Sequence, residues 1–304
     1  MKAIRIYSYG DSGQLRMEEM PQPRPRAGEL LVRILRAGVN PVDWKIRAGY
    51  LARRQGAALP LTIGQDFAGE VAQGGEGASE LRAGERVFGF AHGTYAEYAV
   101  AGADDIARLP AALSLETGAA LPTPGLTAYQ LMTEVVRPQA GQRVLIVGAA
   151  GGVGALAVQL AQHLGAQVLA ADLLGEAPYL RELGAAQTIN TGQPGWEKDA
   201  GLVDAAVDLV GGELQQRCYG VLKHDGVLAT TVGVRDPGEA ERHGVRAVGF
   251  VMHRNGADLA RVAELAAKGV LRPRIAQVLP LAEAKQAQDI SQQGDAHGKI
   301  LLAA

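Results

Sequence analysis

A single cysteine, Cys218, stands in a chain of 304 residues. No intrachain disulfide can form, and a four-cysteine structural zinc lobe is impossible. Aromatic side chains make up only 5%, and 30 basic against 32 acidic residues leave a formal net charge of −2. With no basic cluster and no interleaving of aromatic and basic residues, that balance argues against a nucleic-acid partner. Six histidines are scattered without metal-ligand spacing. No apolar run is long enough for a membrane span: the stretch from 144 is broken by Gln159, Gln162 and His163 before it reaches about 20 residues. The opening Met1-Lys2-Ala3-Ile4-Arg5-Ile6 reads as a short strand and not as a signal peptide, so a cytoplasmic chain is expected.

What the chain has instead is glycine, 40 of them, in a background that is 47% hydrophobic and rich in Ala, Val and Leu. That composition suits an α/β enzyme, and the length suits two domains. The most informative stretch is Val144-Leu-Ile-Val-Gly-Ala-Ala-Gly-Gly-Val-Gly154. Four apolar residues make a buried parallel strand, and Gly148, Gly151, Gly152 and Gly154 follow where the backbone must turn sharply and approach a ligand. Ala155 to Leu164 carry a helix period that stops at Gly165, and the next strand, Gln167 to Asp172, closes on an acid. Strand, glycine turn, helix, strand and terminal carboxylate together make a dinucleotide-binding βαβ unit. Its helix N-terminus offers free N–H groups and a positive dipole end to a pyrophosphate.

The first hundred residues read as all-β, with strands expected at Lys2–Tyr7, Glu29–Ala37, Asp66–Ala72, Glu85–Phe88 and Thr94–Val100. Pro21, Pro23 and Pro25 form a stiff extended connector. A helix capped by Ser114 should run to about Ala120 and break at Pro122-Thr-Pro-Gly125, with another helix from Thr127 to Val136. From Arg143 strands and helices alternate, which implies a doubly wound parallel sheet. Its third strand is expected at Asp204–Val210, its fourth at Val227–Val232 and its fifth at Val245–Val251, and a helix spans Ala257 to Lys268.

At this point the residues resemble a family. Ala37-Gly-Val-Asn-Pro-Val-Asp-Trp-Lys-Ile-Arg-Ala-Gly49, Gly64-Gln-Asp-Phe-Ala-Gly-Glu-Val71 and Gly93-Thr-Tyr-Ala-Glu-Tyr98 are similar to the zinc-free quinone oxidoreductase branch of the medium-chain dehydrogenase/reductase superfamily. Leu121-Pro-Thr-Pro-Gly-Leu-Thr-Ala-Tyr129, the glycine motif and His297-Gly-Lys-Ile300 follow in the family's order, so the resemblance covers the whole chain. It implies an α/β protein with a GroES-like β domain built from both ends, 1–112 and 256–304. A Rossmann dinucleotide-binding domain, 113–255, is inserted between them.

Zinc alcohol dehydrogenases of the superfamily hold their catalytic metal with Cys, His and Cys. The matching places here carry Asn40, Gln65 and Thr123, which are poor zinc ligands, so no metal is expected. The resemblance then implies an NAD(P)H-dependent oxidoreductase that passes a hydride from nicotinamide C4 to a quinone or an α,β-unsaturated carbonyl. An enoyl-thioester reductase and a non-catalytic NAD(P)H-binding redox sensor are the alternatives. Asn40 and Thr127 are implied to lie near the nicotinamide, although Asn40 also reads as a turn residue before Pro41. Asp43 and Lys45, taken as part of the same loop, either supply a proton or polarise an oxygen, or form a surface ion pair. Tyr50, Phe90 and His92 are expected to border the substrate cleft, His92 either as a proton donor or as a solvated loop histidine.

Asp172 can accept from a ribose diol and repel a 2′-phosphate. The loop after it, Leu173-Leu-Gly-Glu-Ala-Pro178, has no cation and adds Glu176, so NADH is favoured over the family's usual NADPH. Cofactor contacts are expected from Gly148, Ala150, Gly151, Gly152 and Val153, and from the strand-end residues Val210 and Gly211 on the adenosine side. Val232, Gly233, Phe250 and Val251 are expected nearer the nicotinamide, and Lys299 approaches the cofactor by resemblance. The Val-rich stretch 245–251 falls where the sheet should reach its edge, which predicts a homodimer unless the following helix, Ala257 to Lys268, covers the strand and leaves a monomer.

Overall fold

The structure, a computed structural model, describes residues 1–51, 59–78, 80–294 and 296–304. It divides into two compact units: Met1–Thr123 with Arg254–Gly269 and Pro273–Ala304, and Pro124–His253 with Val270–Arg272. The first unit opens with β1 (Lys2–Ile6), β2 (Arg16–Glu19), β3 (Glu29–Gly38), α1 (Pro41–Arg47), β4 (Leu61–Thr62) and β5 (Asp66–Gly74). It continues with β6 (Arg86–Phe90), β7 (Tyr98–Gly102), β8 (Ile106–Arg108) and α2 (Leu115–Ala120). Helix α3 (Pro122–Gln130) carries the chain into the second unit, which holds β9 (Arg143–Val147), α4 (Gly152–His163), β10 (Gln167–Asp172), α5 (Ala177–Glu182) and β11 (Gln187–Asn190). There follow α6 (Glu197–Ala200), β12 (Val203–Asp208), α7 (Gly212–Tyr219), β13 (Leu222–Thr230), α8 (Pro237–Arg242) and β14 (Arg246–Gly249). The chain returns to the first unit with α9 (Gly256–Ala267), β15 (Ile275–Pro280), α10 (Ala284–Gln293) and β16 (Lys299–Ala303).

The first unit is built on a sheet of order β15-β16-β3-β5-β6-β8, with β7 also paired to β3. Leu30, Val32 and Ile34 of β3 pack with Phe67, Val71 and Val87 in its core. The β3–β5 register puts Gly38 opposite Asp66, and β5–β6 puts Asp66 opposite Phe90. Only glycine fits at 38, where a Cβ would lie 2.4 Å from the carbonyl oxygen of Ala119. Helix α2 therefore seats directly on the strand end that carries Asp66.

The second unit is a six-stranded sheet, β11-β10-β9-β12-β13-β14, with every pairing parallel. Counted within the unit, the order is 3-2-1-4-5-6, the doubly wound arrangement in which ligands bind at the reversal point. The reversal lies between β9 and β12. Val144 to Val147 are all buried, as a central parallel strand requires. Among the described residues no helix is long and apolar enough to cross a membrane.

Four local expectations are corrected. The segment after Asn40 is a helix and not a loop. Pro122-Thr-Pro-Gly opens a helix instead of ending one, because proline suits a first turn whose N–H groups have no partner within the helix anyway. The third strand is the short β11, with Ile189 as its single fully buried residue, and Val203–Asp208 is the fourth. Finally β7 starts at Tyr98 and not at Thr94.

Candidate active site

In the first unit the chain turns from β3 into α1 through Asn40, whose backbone is extended (φ −122°, ψ 153°), as the following Pro41 demands. Asp43, at the third helical position, reaches back and accepts the Asn40 N–H at 2.8 Å. The same Asp43 Oδ2 accepts from Tyr95 Oη at 2.9 Å, while Oδ1 is buried with no partner. Burial, reinforced by the nearby Asp66 charge, raises the Asp43 pKa to about 7 against the favourable bond from Asn40. The Tyr95 hydroxyl is likewise pushed well above its usual value, first by burial and then by Asp43.

Lys299, 7% exposed at the start of β16, donates to Asn40 Oδ1 and lies 3.5 Å from Asp66 Oδ2. Burial lowers its pKa, and the carboxylates of Asp66 and Asp43 oppose that shift. Asp66 also accepts from the Thr123 N–H at 3.0 Å and from Thr123 Oγ1 at 2.5 Å. Arg254 donates to Gln65 Oε1 at 3.0 Å, pairs with Asp105 at 3.4 Å and lies 5.3 Å from the centre of the Phe90 ring. The side chains at the three positions matched to the superfamily's zinc ligands are thus all engaged: Asn40 Oδ1 accepts from Lys299, Gln65 Oε1 accepts from Arg254, and the Thr123 hydroxyl donates to Asp66. Two amides and a hydroxyl already committed to hydrogen bonds do not fit zinc.

The structure brings Asn40, Asp43 and Lys299 together but separates Lys45 from them. Residues two apart on a helix face different ways, and the Lys45 ammonium lies 5.6 Å from the Trp44 ring instead. Tyr50 is exposed and meets Trp44 edge to face, with centroids 6.0 Å apart. Phe90 is fully buried beneath Arg254, so its ring offers no surface. His92 lies on a bridge to Val100 with part of its surface exposed; desolvation of the ring by its neighbours, then the Arg254 charge, lowers its pKa.

In the second unit the glycine turn takes the shape the motif requires. Gly148 has φ +80°, and a Cβ there would lie 2.8 Å from Val210 Cγ2. A Cβ on Gly154 would lie 2.1 Å from the carbonyl oxygen of Gly148, so this glycine lets α4 press onto the turn. Gly151 and Gly152 are exposed at the helix start, with Ala150 and Val153 half-buried beside them. Asp172 closes the turn: Oδ2 accepts the Ala150 N–H at 2.7 Å and Oδ1 the Leu173 N–H at 2.8 Å. Around the carboxyl ends of the strands stands a rim of exposed apolar side chains, Leu173, Leu174, Val210, Val232 and Val251, the last 85% exposed. Gly211 and Gly233 sit in this rim at φ +85° and +88°, Phe250 is half-buried below it, and Thr127 is buried in α3. Exposed apolar groups around a polar cradle are what a ligand crevice needs.

Asp66, Tyr95, Arg254 and Asp208 take part in the two sites without having been expected there. For the two aspartates a signal exists: an acid that opens or closes a buried strand must be paired or hydrogen-bonded.

A β unit made from both chain ends, with a 3-2-1-4-5-6 nucleotide-binding unit inserted, defines the class of medium-chain dehydrogenases/reductases. Residues 26–111 match the alcohol dehydrogenase GroES-like domain, and residues 183–302 match a zinc-binding dehydrogenase family. A quinone oxidoreductase of Sus scrofa is 32% identical, over 99% of this chain and 97% of its own. The solved quinone oxidoreductase of Coxiella burnetii superposes with a TM-score of 0.94 at 32% identity, covering 100% of this chain and 99% of that one. The mycobacterial protein Rv1454c complexed with NADPH gives 0.90 at 27% identity, with both chains fully covered. The chain belongs to the quinone oxidoreductase branch of the medium-chain dehydrogenase/reductase superfamily and is an NAD(P)H-dependent oxidoreductase.

Proposed function

We propose that the chain reduces a quinone or an α,β-unsaturated carbonyl without a metal. The observation that carries this reading is the engagement of Asn40, Gln65 and Thr123 by Lys299, Arg254 and Asp66. Reduction of an isolated carbonyl gains much from a Lewis acid at the oxygen, whereas a conjugated acceptor delocalises the incoming charge itself. When bound, the reduced nicotinamide supplies the hydride. The chain's own part is positional and electrostatic. Asn40 Nδ2, buried with no partner, is free to donate to the acceptor's carbonyl oxygen. Leaving such a donor unmade costs about 1–3 kcal/mol, and a bound oxygen recovers it. Lys299 holds the same amide by its oxygen and fixes which way the N–H groups point.

The glycine turn and the first N–H groups of α4 are proposed to hold the pyrophosphate. The mycobacterial neighbour's NADPH supports a dinucleotide in this fold. Thr127 is retained as a nicotinamide contact. Asp172, with no cation in the loop after it, leads us to propose NADH as the better donor.

Steady-state oxidation of NADH and NADPH against a panel of quinones, enones, enoyl thioesters and simple aldehydes tests this reading. Quinones or enones should turn over fastest, in protein that carries no stoichiometric zinc. Aldehyde reduction that dominates the panel and is lost to a chelator would overturn it. Asp172→Asn keeps one acceptor for the turn and removes the charge. It should raise NADPH affinity relative to NADH by roughly tenfold or more, and an unchanged ratio would remove Asp172 from cofactor choice.

A further inference from the structure

Asp208 ends β12 with no exposed surface, and no step of the proposed chemistry uses it. Each of its carboxylate oxygens accepts two hydrogen bonds. Oδ1 takes the N–H groups of Val210 at 3.1 Å and Gly211 at 2.8 Å. Oδ2 takes Gln215 Nε2 at 2.7 Å and Thr230 Oγ1 at 2.9 Å. Gln215, also buried, passes the connection on: its amide donates to the Gly233 carbonyl at 2.9 Å and accepts from the Arg235 N–H at 2.8 Å. Thr230 Oγ1 accepts the Val232 N–H at 3.2 Å. The two turns also touch, since a Cβ on Gly211 would lie 2.9 Å from Val232 Cγ2.

We infer that Asp208, Gln215 and Thr230 are a positioning unit that locks the Val210-Gly211 and Val232-Gly233 turns to each other, so that the adenosine and nicotinamide halves of the cofactor are gripped in one fixed geometry. The inference rests on the cofactor reading of these turns given above. A side chain with four satisfied bonds in a fully buried site is stiff, because each broken bond leaves an unpaired buried group. The division of labour within the unit is specific. Asp208 Oδ1 alone holds the adenosine-side turn, whereas Gln215 is the arm that reaches both sides of Gly233.

Calorimetric titration with NADH, NADPH and ADP-ribose reads the two halves separately. Gln215→Ala should weaken the better-bound dinucleotide at least about tenfold and ADP-ribose less than about threefold. Asp208→Asn should weaken both at least about tenfold, because it puts an amide among four donors. Should Asp208→Asn not fold, Gln215→Ala still decides. Equal losses for dinucleotide and ADP-ribose in Gln215→Ala, or no loss in either, would overturn the inference, since a merely structural role cannot separate the ligands. A wild-type protein that binds none of the three would overturn the cofactor reading itself.

Discussion

Asp43 has no exposed surface and one oxygen without a partner, so burial penalises its anion and raises its pKa to about 7. The unfolded value is near 4, and the sign of the pH effect follows. Folding favours the protonated acid. The contribution is therefore fully present below about pH 4 and is lost as pH rises through 7, at up to about 1.4 kcal/mol per pH unit. Lys299, with its pKa lowered, titrates in the opposite sense, so the acid must be isolated by comparison with Asp43→Asn. That variant should be less stable than the wild type at pH 5, and the gap should narrow by at least about 1 kcal/mol by pH 8. Thermal or urea unfolding at the two pH values checks it, and a constant gap would mean that Asp43 does not titrate in this range. The same residue shows what one chain of letters can convey. Asn40 and Asp43 stand out in the sequence because the stretch that carries them resembles the family, and the structure places the two in contact. Their partners Tyr95 and Asp66 lie far off in sequence and are brought in only by the β5 register and the long loop before β7. Lys45 does not join them, because a pairing with Asp43 needs a loop and a helix turns the two apart.

At the scale of elements, β9, α4 and β10 were legible almost to the residue, because a buried strand, a glycine turn and a helix each impose their own period. β11 escaped because Gln187-Thr-Ile-Asn190 is a strand made by its neighbour β10 and not by its own apolar pattern. α1 is hidden because Asn40-Pro41 reads as a turn within a loop, whereas a proline at the first helical position is a starter. The glycine turn itself allows a test that separates structure from function. Gly154 cannot carry a side chain, since its Cβ would meet the Gly148 oxygen at 2.1 Å and Ala149 Cα at 2.7 Å, both backbone. Gly152, in the first turn of the same helix, has only Pro124 Cβ at 3.7 Å near its missing Cβ. Gly154→Ala should therefore cost about 2–4 kcal/mol of stability as α4 is forced off the turn. Gly152→Ala should leave stability within about 0.5 kcal/mol and weaken NAD(P)H, because the added methyl faces the space assigned to the pyrophosphate. Unfolding curves and cofactor titrations on the two variants check the pair. Equal stability losses at both positions would show that the turn is not shaped around a ligand.

For the whole molecule the open question is the free edge of the nucleotide-binding sheet. β14 pairs with β13 on one side, and among the described residues it has no strand on the other. An unpaired edge strand containing Ala247 and Val248 and followed by Phe250 and Val251 is a ready template for another chain, and Val251 is 85% exposed just beyond it. We propose that two copies meet there across a twofold axis, extending one sheet into the other. Helix α8 also packs against β14. Backbone alternation tells which residues face the partner. The Phe250 N–H donates to Thr230 at 2.8 Å, so Phe250, Val248 and Arg246 point their backbone groups at β13, while Ala247 and Gly249 point theirs outward. Val248→Pro would therefore injure the sheet itself, whereas Ala247→Pro removes an outward donor and spares the β13 ladder. Light scattering at micromolar concentration should give the mass of two chains for the wild type. Ala247→Pro should give one chain, with little change in the unfolding midpoint of the unit. A wild-type mass of one chain would end the dimer proposal, and an Ala247→Pro protein that stays dimeric would move the interface away from β14.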